Sequence, residues 1–265
     1  MAFNLQSMRS LLAEKMPEAT FHWVEETGST NADLVRLAQS GAKPWTVLLA
    51  DRQTGGRGRH DRVWVSPTGG LYLSILLVEQ EADSPITLIP LVVGLALHTA
   101  LGKLAQENGI ELDTHLKWPN DLVTPRGKLA GILCESTITE SGWQIIAGIG
   151  VNLETLPEMQ VQNLDQAVTS LRSESGGQVL AREPLVLTLL LELRDRLDQW
   201  RRDPASLRRE WESAAGVGRA TVTVRGSGTP KTGIMLGISD TGALRLRTSD
   251  GDIEIHAAEG IEEHS

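Results

Sequence analysis

Cysteine is almost missing: Cys134 is the only one in 265 residues, so no disulfide can form within the chain. A lone cysteine in the run Gly-Ile-Leu-Cys-Glu reads as a small buried hydrophobe, and its rarity fits a reducing compartment. Aromatic residues are scarce, 4% of the chain with one Tyr and two Phe. That leaves little for the stacking platforms of single-strand nucleic-acid binding. Positive charge is short as well. A formal net charge of −9 and a pI near 5.2 argue against a broad basic face for polyanions. The N-terminus has no basic stretch leading into an apolar one. The richest apolar run, Leu185 to Leu193, is too short to cross a bilayer and charges follow it. No segment reads as a membrane span. The expectation is a soluble cytoplasmic protein without a membrane partner.

Familiar catalytic signatures are missing too. There is no Gly-x-Ser-x-Gly elbow, no phosphate-loop pattern ending in Gly-Lys-Ser/Thr, and no Gly-x-Gly-x-x-Gly. His22, His60, His98, His115, His256 and His264 show no paired metal-ligand spacing, and His98 reads as a packed core histidine. The expectation is that no metal site is built from protein side chains.

What is present is a cationic, glycine-rich loop. Residues 55–62 hold three Gly and three Arg. Arg52, Arg57, Arg59 and Arg62 against Asp51 and Asp61 leave the segment positive by two. Glycine lets backbone wrap an anion closely, and guanidinium forks grip phosphate or carboxylate in two places. In an acidic protein this points to a small anionic ligand. A second cation, Lys117, ends a strand before the turn Pro119-Asn120-Asp121. Asp121 reads either as a partner of a nucleotide-bound metal ion or as a turn cap. Lys128 follows in Gly-Lys-Leu-Ala-Gly-Ile-Leu. Gly148-Ile-Gly-Val-Asn152 is a strand whose glycines admit something against the backbone. Ser29-Thr30-Asn31 begins a helix, where hydroxyls and free amides face outward. Cations and amides aimed at anions suit phosphoryl or adenylyl transfer.

The chain organisation reads as α+β. Helices are expected near 5–16, 31–40, 86–108, 183–201 and 205–214. Strands are expected at 21–24, 45–50, 71–78, 115–118, 129–137 and 143–151, the last two as a hairpin. From Gly216 onward short alternating strands are punctuated by Asp-Thr-Gly242 and Asp-Gly251, which reads as a small all-β barrel. The division is 1–215 and 216–265.

Six segments, taken in order, resemble a biotin–protein ligase. They are Gly-Ser-Thr-Asn at 28–31, Gln53 with the Gly/Arg loop, Trp64-Val-Ser-Pro-Thr-Gly-Gly-Leu-Tyr-Leu-Ser at 64–74, Lys-Trp-Pro-Asn-Asp at 117–121, Gly-Lys-Leu-Ala-Gly-Ile-Leu at 127–133 and Gly-Ile-Gly-Val-Asn-Leu at 148–153. The resemblance spans nearly the whole chain. It implies a mixed-sheet catalytic domain of the biotin/lipoate ligase type with an SH3-like C-terminal barrel. It implies adenylation of biotin by ATP with Mg2+, then transfer to a lysine of a biotin carboxyl carrier protein of acetyl-CoA carboxylase. Ser29, Thr30, Asn31 and Gln53 would hold the ring end of biotin. Arg57, Gly58 and Arg59 would close over biotin and the adenylate phosphate. Lys117 would meet the biotin carboxylate and the α-phosphoryl group, with Arg59 as a second catalytic cation. Trp64, Asn120, Lys128 and Asn152 fall on the nucleotide side.

Three features depart from the commonest family pattern. Asp61 stands where glycine is frequent, Gly69-Gly70-Leu71 replaces Gly-x-Asn-Leu, and Gly55 stands where alanine is frequent. Family members that repress transcription carry an N-terminal helix-turn-helix domain. The roughly 20 residues before the first strand are too few for one, so no DNA partner is expected. A strand edge leaves room for a homodimer. The rival readings are a lipoate or octanoate ligase, which shares fold and chemistry, and a non-enzymatic nucleic-acid-binding module.

Overall fold

The computed structural model describes residues 3–80, 85–157, 166–178, 180–218, 221–226 and 228–264. Its first sheet has seven strands in the order β1-β2-β3-β7-β6-β5-β4. They are β1 (Thr20–Thr27), β2 (Thr46–Gln53), β3 (Leu71–Glu79), β4 (His115–Lys117), β5 (Asp121–Thr124), β6 (Gly127–Thr139) and β7 (Gly142–Val151). Only β1 and β2 run parallel, with α2 (Thr30–Gln39) as the connection between them. Ser29 caps α2 by accepting from the Ala32 amide, as Ser-Thr-Asn before an apolar-periodic stretch dictates. The hairpin β6–β7 forms at Glu140-Ser141-Gly142, with Gly142 at φ +103°.

Alternation along the strands gives the sheet two different faces. Leu49, Leu73, Ile75, Ile132 and Ile149 point to one side. There they join one contiguous core with α1 (Leu5–Lys15), α3 (Ile89–Glu107), α4 (Leu171–Glu174), α5 (Arg182–Arg202) and α6 (Pro204–Ala214). Leu48, Leu76 and Ile146 point to the other side and meet Leu34 and Ala38 of α2 in a smaller cluster. One short helix covers only part of that face. The rest is open for a site.

One expectation about α3 needs correcting. Residues Ile86–Glu107 are long and apolar enough to cross a membrane, contrary to the expectation above, but 72% of their most apolar stretch is buried inside the protein. The helix owes its apolar character to being packed between the sheet and α5. Cys134, read as a buried hydrophobe, is only partly buried and packs against the edge of the core; desolvation pushes its thiol up to about 12, with Glu135 adding to the rise.

Residues from 221 onward form a five-stranded antiparallel sheet in the order β11-β10-β9-β8-β12. These are β8 (Thr221–Arg225), β9 (Lys231–Ile238), β10 (Leu244–Thr248), β11 (Gly251–Ile255) and β12 (Gly260–His264). The second sheet shares its hydrophobic core with the first unit through residues such as Val222, Met235 and Leu244. Polar bonds fasten it as well. Trp118 Nε1 donates to Gly242 O at 3.0 Å, and the Ile238 amide donates to Glu212 at 2.8 Å. Gly237 has φ +137°, and a Cβ there would overlap the Glu212 carboxylate.

Two strands escape the sequence reading. β5 lies where only a turn was read after Pro119, because its four residues carry no long alternation. β12, Gly-Ile-Glu-Glu-His, has five residues, two of them acidic.

Candidate active site

Registry across the sheet builds the floor of a cleft. Residues Ala50, Tyr72, Gly150, Gly131, Asp121 and Lys117 sit side by side in one row across six strands. In the next row Leu48, Ser74, Gly148 and Leu133 are neighbours. The glycines therefore meet in the middle of the sheet, on the face that α2 leaves bare. A side chain on Gly148 would overlap Asn31, and one on Gly150 would overlap the Trp64 indole. A cleft of about 850 Å³ lies over this floor, in the range of small-molecule sites. It brings together all twelve site residues named from the sequence: Ser29, Thr30, Asn31, Gln53, Arg57, Gly58, Arg59, Trp64, Lys117, Asn120, Lys128 and Asn152.

One end of the cleft is neutral and polar. Gln53 Oε1 accepts from the Thr30 amide at 2.9 Å and from Thr30 Oγ1 at 3.1 Å. Gln53 Nε2 donates to Ser66 Oγ at 2.9 Å. Ser74 Oγ, fully buried, lies 2.7 Å from Thr30 Oγ1 and 2.6 Å from Asn31 Oδ1. Such a network fixes rotamers in a low-dielectric place. Ser66 and Ser74 were not foreseen as members. A serine interrupting the apolar run Leu-Tyr-Leu-Ser-Ile-Leu-Leu was the signal for Ser74, because a hydroxyl in mid-strand must find partners.

The Gly/Arg loop closes over the middle. It makes its own turn: the Gly58 amide donates to Arg62 O at 2.7 Å, and the Trp64 amide to Gly56 O at 2.9 Å. Gly56 has no room for a side chain, since a Cβ would overlap Trp64 O and Ser66 Oγ. The two cleft-lining arginines on either side of Gly58 part company. Arg57 pairs with Glu135 on β6 at 3.1 Å, whereas Arg59 reaches Asn120 Oδ1 at 3.4 Å. Burial pulls the Arg59 guanidinium below its ordinary value, with Asp121 opposing and Arg62 adding to the drop.

The far end is cationic. Lys128 Nζ lies 2.7 Å from Asp121 and 5.3 Å from the centroid of the Trp64 ring. The Asp121 carboxylate faces Lys128, and no side-chain hydrogen bond from it caps the turn among the described residues. Lys117 lines the same end and makes no ion pair among the described residues. Asn120 is held by donating to Ile132 O at 2.5 Å. Asn152 donates to Thr169 O at 3.0 Å, while its Oδ1 is buried without a hydrogen-bond partner, as is Trp64 Nε1. Orphaned polar atoms in a cleft wall are places for a ligand to bond. The second sheet supplies the last wall, with Arg225 and residues 258–262.

Residues 23–152 match the model of the biotin/lipoate A/B protein ligase family, and residues 220–259 match that of the biotin protein ligase C-terminal domain. A Paracoccus denitrificans protein named biotin–[acetyl-CoA-carboxylase] ligase is 35% identical, over 88% of this chain and 96% of that protein. The chain belongs to the biotin/lipoate protein ligase family. A Mycobacterium tuberculosis biotin–[acetyl-CoA-carboxylase] ligase is 33% identical over 90% of this chain and 87% of its own length. The solved structure of an Aquifex aeolicus biotin protein ligase, in complex with biotin and ATP, has a TM-score of 0.77 at 30% identity. It covers 92% of this chain and 99% of the other. Within this family the chain's departures acquire physical reasons. Gly70 is required because Tyr72 turns back to donate to Pro67 O, and its ring fills the space a side chain would need. Asp61 and His60 both hold left-handed backbone, at φ +57° and +53°, the conformation that favours glycine. At Gly55 a Cβ would stand 3.3 Å from Gly28 O, a tight fit for alanine.

Proposed function

We propose that the chain activates biotin with ATP and then passes the biotinoyl group to a lysine of a biotin carboxyl carrier protein. In the first step the biotin carboxylate attacks the α-phosphorus of ATP, pyrophosphate leaves, and biotinoyl-5′-AMP forms. In the second the carrier lysine amine attacks the anhydride carbonyl, an amide forms, and AMP leaves. The observation that carries this reading is the polarity of this cleft. A neutral hydrogen-bonding pocket occupies one end, and Arg59, Lys117 and Lys128 converge at the other.

Ser29, Thr30, Asn31 and Gln53 are suited to an uncharged ureido ring, since they offer donors and acceptors but no charge. Two anions must then approach within bonding distance, and fixed cations offset their repulsion. Lys117 makes no ion pair among the described residues and takes the carboxylate and α-phosphoryl oxygens. Arg59, already half stripped of water, pays little to meet the same anion. Lys128 adds charge on the nucleotide side. Asn152 Oδ1 has an open acceptor position for an exocyclic amine, and the Trp64 indole offers a flat wall to the adenylate. A divalent cation would arrive on the ATP phosphates. Asp121 is the carboxylate lining the cationic end, and no group of three or more metal-binding side chains occurs among the described residues.

Residues 1–215 and 216–265 act together, because both line the cleft. The acidic charge supports a protein partner rather than DNA, and the cysteine usage supports the cytoplasm. Biotin-dependent exchange of labelled pyrophosphate into ATP tests the first step. Labelling of a carrier domain, with a lysine-substituted carrier as control, tests the second. Exchange driven by lipoate and not by biotin would overturn the substrate. Sedimentation with and without biotin decides whether a homodimer forms.

A further inference from the structure

We propose that Glu135 is a positioning residue that latches the Gly/Arg loop shut over the cleft by holding Arg57. This rests on the reading of the cleft as an adenylation site. Glu135 projects from β6 on the same face as Gly131 and Leu133, yet it does not line the cleft. Its Oε1 lies 3.1 Å from Arg57 Nη2, and its Oε2 lies 3.3 Å from the same nitrogen. Oε2 also accepts from Asn31 Nδ2 at 2.7 Å. Asn31 is itself immobilised: it donates to Leu133 O at 3.2 Å, meets Ser74 through Oδ1, and rests on the bare backbone of Gly148. The chain of contacts therefore runs from a fully buried hydroxyl on β3 to a loop arginine that is half exposed. Asn31 aims the carboxylate, and the carboxylate holds the loop.

The loop needs such a tie. Three glycines within eight residues make its open ensemble large, so closure loses much backbone entropy. Its internal bonds, from Gly58 to Arg62 and from Trp64 to Gly56, shape the turn but anchor it to nothing else. The base of the loop is tied by the Gly55 amide to Gly28 O, and Trp64 packs on Gly150 at its far end; between them the ties across to the sheet are the side chains of Arg57 and Arg59, and these diverge. Arg59 spans the cleft to Asn120 and must rearrange when a ligand enters. Arg57 binds the rim and can stay. The latch thus governs how long a bound intermediate is retained, while the cations at the far end govern how fast it forms.

The test uses Glu135→Gln, which keeps an acceptor for Asn31 and removes the charge that Arg57 needs. Biotinoyl-adenylate should leave the variant about two- to fivefold faster, the range for a partly exposed ion pair. Adenylate formation at saturating biotin and ATP should stay within about twofold of the parent. Added salt should speed release from the parent and not from the variant, since screening acts on the pair. Arg57→Ala should quicken release too, and the double variant should be no faster than the quicker single one. Hydrogen exchange of the Gly58 and Trp64 amides in the ligand-free protein should accelerate in Glu135→Gln. Unchanged exchange at those amides, or additive effects in the double variant, would overturn the latch. The exchange measurement needs no catalysis. If the parent formed no adenylate, the enzyme assignment would fall and the amides would still decide the latch.

Discussion

The two faces of the seven-stranded sheet are made by the same strands and differ in almost everything else. On β7, Ile149 points into a core shared with five helices, while Gly148 and Gly150 on either side of it point into the cleft. On β3, Leu73 and Ile75 are core, and Ser74 between them anchors the polar network. One residue's shift along a strand changes the job from stability to chemistry. The core face is filled by side chains. The cleft face gains its volume by leaving them out and borrowing side chains from elsewhere: Asn31 from α2, Trp64 and the arginines from a loop.

Substitutions can break this division. On the cleft face, Lys117→Ala removes a cation with no ion pair among the described residues, and Lys128→Ala one held by Asp121 and the Trp64 ring. Each should slow pyrophosphate exchange about 10²- to 10³-fold, as the loss of one fixed transition-state charge does. Lys117→Ala should leave the urea midpoint unchanged; a midpoint drop as large as the loss of activity would show that the faces are not separate. On the core face, Ile149→Ala should lower stability by about 2–5 kcal/mol. Biotin affinity of the folded fraction, measured by calorimetry at low temperature, should hold within about twofold. Gly148→Ala sits on the boundary. Its methyl group must displace Asn31, so biotin should bind about tenfold more weakly from a disturbed buried bond of roughly 1–2 kcal/mol.

Smaller effects sharpen the picture. His98 lies on the core side, 3.1 Å from Thr114, and burial lowers its pKa from 6.5, with His115 and Arg196 adding to the drop. The unfolded chain therefore binds the proton more readily, and stability should fall as pH drops below 6.5. His98→Gln should flatten that part of a urea-midpoint titration, and pyrophosphate exchange should be the same as in the parent. The smallest change is expected from Asp61→Gly. It relieves one left-handed non-glycine residue and loosens the unfolded chain, so the two effects offset to within about 1 kcal/mol.

The sequence made the site legible because its parts are local motifs. Ser29-Thr30-Asn31, Gly-Arg-Gly-Arg and Lys-Trp-Pro-Asn-Asp each announce a chemistry within a few residues, and all of them converge on the cleft. Long elements were legible for a similar reason: α3 and α5 have many periods of pattern to read. Short strands were not. β5 has four residues, and what makes it a strand is pairing with β4 and β6, which no local pattern records. Glu135 was invisible for a stronger reason. It is 78 residues from Arg57 and 104 from Asn31, and an acidic residue late in an apolar strand looks like any solvated charge. The apolar length of α3 was understated: the helix is long enough to cross a membrane, and its burial within the protein accounts for that composition.

Arg225 and residues 258–262 stand in the wall of the cleft, although most of its other groups come from the first 152 residues. During synthesis, a nascent polypeptide reaching only as far as α6 already carries the glycine floor, the loop and all three cations. It still lacks one side of the chamber. That side is added when β12 pairs with β8, so the last strand in sequence is also the last wall of the chamber.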